Sequence, residues 1–270
     1  MSEEQLDVHV EPVEDIPVII AKLEQMKIEE LVERHFVPHG NWRGCSIGQV
    51  ALVWLTYILT EGDHRLSYLQ EWVKGREKTL SACLKTNIRA KDFSDDRLEI
   101  ILDMLGSDEK WRLFDCDMTQ DILRVYDLKG NLIRLDSTSG SGYWKVTEEG
   151  LFQFGHSKDH RPDLPQFKIM LASLDPLGLA VGIQVPSGDK ADDPLYIPAM
   201  DQVRHNLGRN DSLFFVGDSK MMAFETRLHA VAGGDGYLGP FSKTQINNEA
   251  LSTLLKPVWD GEQPLEVVQR

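Results

Sequence analysis

The chain changes its hydrophobic periodicity at one point, Gly130–Asn131, and this change limits the folds open to it. Before that point, apolar residues recur at three- and four-residue spacing, which is typical of amphipathic helices. After it, they form short runs separated by turn-forming residues, which is typical of strands. The sequence therefore predicts an α+β protein, with a helical N-terminal domain over 1–128 and a sheet-containing domain over 129–270.

Four helices are predicted in the first domain. One covers about 16–35, a second begins at Ser46, a third is capped by Asp95 or Asp96, and a fourth covers about 111–125. The second helix contains the longest apolar run of the chain, which is about half the length that a membrane-spanning helix needs. No membrane span is expected.

The composition excludes several classes of protein. With 41% hydrophobic and 27% charged residues, the chain is ordinary globular material. The N-terminus lacks the basic and apolar regions of a secretory signal, so a cytoplasmic location is expected. Cys45, Cys83 and Cys116 lie far apart with no CxxC pair, which argues for packed thiols over disulfides or structural zinc. The net charge is −14, half of it in residues 1–40, so charge alone predicts no nucleic-acid partner.

Four strands are predicted in the second domain, over 132–136, 167–174, 179–185 and 213–216. The turn chemistry of Asp175-Pro176-Leu177-Gly178 makes the second and third strands an antiparallel hairpin. A helix over about 194–207 precedes the fourth strand, and another is expected after it. A ribonuclease-H-like core begins with this order of elements, and its first and fourth strands lie side by side.

Two aspartates, Asp136 and Asp218, each follow a predicted strand and each precede a serine. Neighbouring strands would bring the two carboxylates together, where like charges are stabilised by a cation between them. Oxygen ligands of this kind suit Mg²⁺ or Mn²⁺. A plain turn or N-cap role for each aspartate is the alternative that the pattern leaves open.

The residues around both aspartates carry a family resemblance. LDSTSGSGYW contains Asp136, GHSKDHRPDLPQFKIMLASLDPLGLAVGIQVPSGDKADD follows it, and FFVGDSKMMAFETRL contains Asp218. Over about 130–245 the chain resembles the catalytic region of DDE transposases of the insertion-sequence-four superfamily. Residues 11–115 resemble the helical domain that precedes that catalytic core.

The resemblance implies DNA cleavage and strand transfer at the ends of a mobile element, by two Mg²⁺ or Mn²⁺ ions held by three acidic residues. Asp136 and Asp218 match the first two of these residues. The implied partners are the terminal inverted repeats of the element, with a second copy of the chain or a full-length transposase.

The third acidic residue of the family, a glutamate in a Tyr-x-x-Arg-x-x-x-Glu motif, has no match in this sequence. The acidic candidates after Asp218 are Glu225, Glu249, Glu262 and Glu266, and none has the family's setting. We therefore expect a truncated catalytic core that is inactive alone. A non-catalytic remnant that binds DNA or transposase, and a metal-dependent nuclease unrelated to transposition, are the alternatives.

A long loop between 140 and 165 is the second candidate for function, because long loops in compact domains are often functional. The residues predicted to contact DNA phosphates are Lys158, His160, Arg161 and Lys220. A zinc site at His156, Asp159 and His160 and a solvated loop are the alternatives. In the first domain, the least acidic stretch, 41–100, is a weaker candidate for DNA binding.

Overall fold

The chain divides near Leu128, where the helical periodicity of the sequence ends. The structure, a computed structural model, describes residues 8–157, 160–242 and 245–264, and it forms two units, Met1–Leu128 and Lys129–Arg270. The first unit is helical, and the second contains a five-stranded mixed sheet. The predicted fold class is confirmed.

Seven α-helices of the first unit surround one apolar core. They are α1 (Ile16–Gln25), α2 (Ile28–His35), α3 (Ile47–Glu61), α4 (Leu69–Lys74), α5 (Glu77–Leu84), α6 (Asp95–Leu105) and α7 (Asp108–Val125). Short 3₁₀ turns cover Leu66–Tyr68 and Ala90–Phe93. Helix α2 packs against both α3 and α7, so it lies at the centre of the unit.

The helix predicted over about 16–35 is two helices. Lys27 has a φ of 57°, a left-handed conformation that ends α1 and lets α2 turn back onto it. Ile20 of α1 and Leu31 of α2 are both buried in the same core. The apolar spacing continues across the break, and no glycine or proline marks it, so periodicity alone predicted one helix.

Helix α3 begins where the sequence predicted. The Ser46 hydroxyl accepts from the Gln49 N–H at 3.1 Å, and the Gln49 side chain accepts from the Ser46 N–H at 3.1 Å, which forms a capping box. The prediction that Asp95 or Asp96 caps the third helix is wrong: the N-cap is Ser94, and both aspartates lie in the first turn of α6. There the carboxylates complement the positive end of the helix dipole.

Asp92 joins the segment before α3 to the turn before α6. Its buried carboxylate accepts from the Cys45 thiol at 3.6 Å and from Arg89 Nε at 3.4 Å. Arg97 lies 3.9 Å from the same carboxylate and donates to the Cys45 carbonyl at 3.2 Å. A Cβ at Gly44 would lie 2.1 Å from Asp92 Oδ1, so only glycine fits there.

Cys45 makes the first unit sensitive to alkaline pH. Burial, with the negative charge of Asp92, raises the pKa of this thiol from 9.0 to about 11. Between these two values the unfolded chain has lost the proton and the folded chain keeps it, so the free energy of unfolding falls as the pH rises. Between pH 9 and pH 11, the free energy of unfolding of the unsubstituted chain should fall by about 2 kcal/mol more than that of Cys45→Ser, which keeps a hydrogen-bond donor.

Urea unfolding at several pH values measures this difference. Cys83→Ser is the control, because Cys83 is only partly buried. Equal pH slopes for the unsubstituted chain and Cys45→Ser would contradict the assignment.

The second unit is built on a sheet of order β3-β2-β1-β4-β5. Strands β1, β2 and β3 pair antiparallel, and β1 pairs parallel with β4, which pairs parallel with β5. The strands are β1 (Leu132–Ser141), β2 (Gln166–Leu174), β3 (Leu179–Gln184), β4 (Phe214–Val216) and β5 (Gly236–Leu238). The predicted hairpin and the predicted neighbourhood of the first and fourth strands are both present.

Three helices accompany this sheet. Helix α8 (Tyr196–Leu207) follows a 3₁₀ turn over Asp193–Leu195 and packs on β2 and β3. Helix α9 (Phe224–Ala232) connects β4 to β5, and α10 (Asn248–Trp259) follows β5. The Asn206 amide donates to the Val181 carbonyl at 2.9 Å, which fixes α8 against β3.

The two faces of the sheet differ. Residues 133, 135, 170, 172, 181 and 215 are apolar and buried on one face. The opposite face exposes Arg134, Asp136 and Thr138 of β1, together with the half-exposed Leu171 of β2. Among the described helices, none combines the length and the apolar character needed to cross a membrane.

Candidate metal site

The pairing of β1 with β4 brings the two predicted aspartates into the same neighbourhood. Arg134 lies opposite Val216 in the parallel ladder. Asp136 and Asp218 each follow two residues later, and neighbouring strands lie about 4.8 Å apart. The close approach continues past the ladder, because a Cβ at Gly217 would lie 3.2 Å from the Leu135 carbonyl oxygen.

Asp136 lies in the middle of its strand, so the prediction that it ends the strand is wrong. Strand β1 continues to Ser141, because β2 is long enough to pair with it up to the Ser141–Gln166 position. The serines and glycine after Asp136 have no strand pattern of their own, and the partner strand imposes the extended conformation. Asp136 is therefore held by backbone pairing with Leu171 of β2, two residues beyond the end of the β4 ladder, and its side chain is exposed.

Asp218 follows β4 directly and is fixed by three hydrogen bonds to one oxygen. Its Oδ1 accepts from the Tyr196 hydroxyl at 2.7 Å, from the Lys220 N–H at 2.8 Å and from the Met221 N–H at 3.4 Å. The two backbone bonds shape the turn after the strand, as a turn aspartate does. The turn role and the metal role that the sequence left open are thus compatible at this residue.

Three carboxylates affect the pKa of Tyr196, the first residue of α8. Its side chain is fully buried, and burial is the largest cause that raises its pKa. The hydrogen bond to Asp218 and the negative charges of Asp218, Asp136 and Asp192 raise it further. The hydroxyl therefore stays protonated at physiological pH and acts as a donor.

Three basic residues on the elements around these aspartates form ion pairs with other carboxylates. Arg134, two residues before Asp136, donates from Nε to Asp175 at 2.8 Å and from a terminal nitrogen at 2.7 Å. Lys168 is buried and lies 2.5 Å from Asp192. This ion pair neutralises the third carboxylate near Tyr196.

Lys220, two residues after Asp218, lies 3.7 Å from Asp193. In the described part of the chain, no ion pair is formed by Asp136 or Asp218. Among the residues that the structure describes, these two carboxylates therefore have no ion-pair partner.

The chemistry of this pair fits a hard divalent cation. Mg²⁺ keeps several of its waters and is bound by one or two carboxylates, and Mn²⁺ takes the same oxygen ligands. The exposed side chains of Asp136 and Asp218 leave space for those waters. Among the described residues, no three His, Cys, Asp or Glu side chains gather to hold a metal ion, so the pair has no third carboxylate beside it.

The acidic residues considered for the third position lie elsewhere. Glu225 is in the first turn of α9, Glu249 is in the first turn of α10, and Glu262 follows α10, all with exposed side chains. Glu266 lies outside the described residues.

The loop predicted to contact phosphates is partly described. Lys158 and Asp159 lie outside the described residues. Arg161 forms two hydrogen bonds with Asp163, at 2.9 and 2.8 Å, so a phosphate would compete with an existing partner. His160 is exposed and has a φ of 56°. No metal-binding group that includes His156 or His160 occurs in the described part.

In the helical stretch 41–100, five of the nine basic side chains form ion pairs. The paired residues include Arg65 with Asp63, Lys74 with Glu71, Arg76 with Glu14 and Glu61, and Arg89 and Arg97 with Asp92. Phosphates would have to displace these carboxylates. The low acidity of the stretch does not make it a cationic surface.

Sequence reasoning missed Tyr196, Lys168 and Asp192. A buried tyrosine at the start of a helix and a lysine within a strand carry no recognisable motif. Only Lys168 has a signal in the sequence. It occupies a strand position whose alternate neighbours are buried, and a buried lysine needs a carboxylate partner.

Removing one of two uncompensated charges should stabilise the metal-free protein. We expect Asp136→Asn to raise the free energy of unfolding by less than about 1 kcal/mol at low salt, since exposed charges interact weakly. The gain should shrink at high salt because salt screens the repulsion. Urea unfolding in a chelator measures this, with Asp211→Asn, an exposed aspartate before β4, as the control for loss of charge. A loss of stability in Asp136→Asn would contradict the assignment.

Comparisons with known proteins give distant structural similarities. No family model matches the chain, and no curated protein matches it. A piggyBac transposase in a synaptic complex with hairpin DNA is 11% identical, with a TM-score of 0.38, and the match covers 89% of this chain and 53% of that one. This chain thus spans about half the length of that transposase.

Structures of Mos1 transposase also match. The paired-end complex with the left transposon end is 10% identical with a TM-score of 0.30, and the mariner paired-end complex with Mn is 10% identical with a TM-score of 0.28. In both, the match covers 94% of this chain and 92% of the other. All of these similarities are loose, and no residue of this chain is assigned from them.

Proposed function

We propose that residues 129–270 form a metal-dependent DNA-processing core of the transposase type, in which Asp136 and Asp218 bind Mg²⁺ or Mn²⁺. The observation that carries the proposal is the parallel pairing of β1 with β4, which brings two uncompensated carboxylates together from segments far apart in sequence. The choice of DNA as substrate rests on the sequence resemblance over about 130–245.

The residues of the chain have separate tasks in this site. The pairing of β1 with β2 fixes Asp136, and the turn after β4 fixes Asp218. A divalent ion bound there would stabilise negative charge on a phosphodiester oxygen and help to activate a water or a 3′-hydroxyl. No side chain has to act as a covalent nucleophile.

We expect weak binding of Mg²⁺ and Mn²⁺ that depends on both aspartates. Asp136→Asn and Asp218→Asn should each weaken binding by about tenfold or more, because each removes a charged ligand. Titration calorimetry with Mn²⁺ measures the affinity, and Asp211→Asn again controls for the change in net charge. Binding that is unchanged in both site variants would remove the metal site and the proposed function with it.

The isolated chain should bind metal without cutting DNA. Two-metal phosphoryl transfer needs a second ion on the leaving side, and the described residues bring no third carboxylate to that position. Incubation of the chain with supercoiled plasmid and Mn²⁺ tests this expectation.

Nicking that disappears in Asp136→Asn would show that another acid, such as Glu225, Glu249 or Glu262, completes the site. Cleavage restricted to DNA that carries terminal inverted repeats would then distinguish a transposase from a general nuclease. Metal binding without nicking is also what a non-catalytic remnant of a transposase would show.

A further inference from the structure

Tyr196 contacts the candidate site through Asp218. It is fully buried, and its hydroxyl reaches Asp218 Oδ1 at 2.7 Å. Buried tyrosine hydroxyls need a partner, and here that partner is a carboxylate that the proposed function assigns to metal binding.

The hydrogen bonds of Asp218 are distributed unequally between its two oxygens. Tyr196 and the backbone N–H groups of Lys220 and Met221 all donate to Oδ1. Within the described residues, no hydrogen bond to Oδ2 is formed. One oxygen is therefore saturated by the protein, and the other is available for a ligand.

The tyrosine is itself well anchored. It begins α8, and this helix is fixed to the sheet by Gln202, which donates to the Ile183 carbonyl at 3.2 Å, and by Asn206, which donates to the Val181 carbonyl. Arg204 of the same helix forms an ion pair with Asp235, which also accepts from the Leu213 N–H before β4. The position of the hydroxyl is thus set by β3, β4 and α8 together.

We propose that Tyr196 is a positioning residue, which holds Asp218 so that Oδ2 points toward the metal ion. This inference rests on the proposed function, because it assigns Tyr196 a role in the same metal site. Tyr196 does not touch the ion. It acts through the carboxylate, as hydrogen-bond partners of metal ligands commonly do.

A double-mutant cycle on Mn²⁺ affinity tests the proposal. Tyr196→Phe removes only the hydroxyl, and we expect about tenfold weaker binding, at the lower end of the losses seen when partners of metal ligands are removed. In an Asp218→Asn background the same substitution should have no further effect, because the carboxylate that it positions is gone.

Tyr57→Phe is the matched control, because Tyr57 is also buried and also hydrogen-bonds a carboxylate, that of Asp63, in the other unit. It should leave Mn²⁺ affinity unchanged. Urea unfolding of each variant checks that the fold is retained.

The outcomes separate the inference from the proposed function. If the affinity depends on Asp136 and Asp218 but not on Tyr196, the positioning role is wrong and the metal site stands. If Tyr196→Phe weakens binding equally in both backgrounds, its effect is structural and the inference is also wrong. If the chain shows no binding that depends on the two aspartates, both proposals fall.

A measurement on the unsubstituted chain covers the case in which Tyr196→Phe does not fold. The sequence has six tyrosines, which can be labelled with ¹³C at the ring carbon that bears the hydroxyl. Addition of Mg²⁺ should shift one of these signals, and the shift should be lost in Asp218→Asn. No shift in any tyrosine signal would overturn the proposal.

Discussion

The parallel pairing of β1 with β4 is the contact on which the second unit depends. It joins two short segments separated by the hairpin and α8, and only three residue pairs form its ladder. Such pairing requires a long crossover connection, whose cost in chain entropy is offset by the packing of α8, within that connection, on β2 and β3. The buried face of the sheet, with Ile133 paired to Phe215, stabilises the pairing.

The same pairing creates an electrostatic cost. The carboxylates of Asp136 and Asp218 repel each other, and a cation paired with either of them would reduce this repulsion. Instead Arg134 is bound by Asp175, and Lys168 is bound by Asp192. Carboxylates without an ion-pair partner are common at functional sites, because functional groups are often held there at some expense of stability.

The sequence predicted the elements that have strong local signals. The capping box at Ser46, the turn at Asp175–Gly178 and the apolar strand before Asp218 all contain the residues that their geometry requires. Wrong predictions arose where tertiary contacts override local pattern. Lys27 breaks a periodic helix without a breaker residue, and the pairing with β2 extends β1 beyond Asp136 through serines and glycine. Both corrections depend on partners that are distant in sequence.

The candidate site was predictable in part for the same reason. Asp136 lies within one apolar strand and Asp218 follows another, so the proximity of the two aspartates follows from strand order. Tyr196 has no such signal, because its importance comes from the packing of α8 on the sheet. Sequence patterns identify candidate ligands on regular strands and helices. The residues that orient those ligands are identified only from the packing of these elements in the structure.

The ion pairs also determine how an acidic chain could approach DNA. The net charge is −14, and Arg65, Arg76 and Arg161 are each already paired with a carboxylate. A phosphate that replaced one of these partners would leave that carboxylate unpaired, so the exchange would gain little. A divalent ion at Asp136 and Asp218 has no such competitor, since it would neutralise the pair and still carry open positions for phosphate oxygens. A metal ion bound at the proposed site would therefore supply positive charge to a phosphodiester without breaking an existing ion pair.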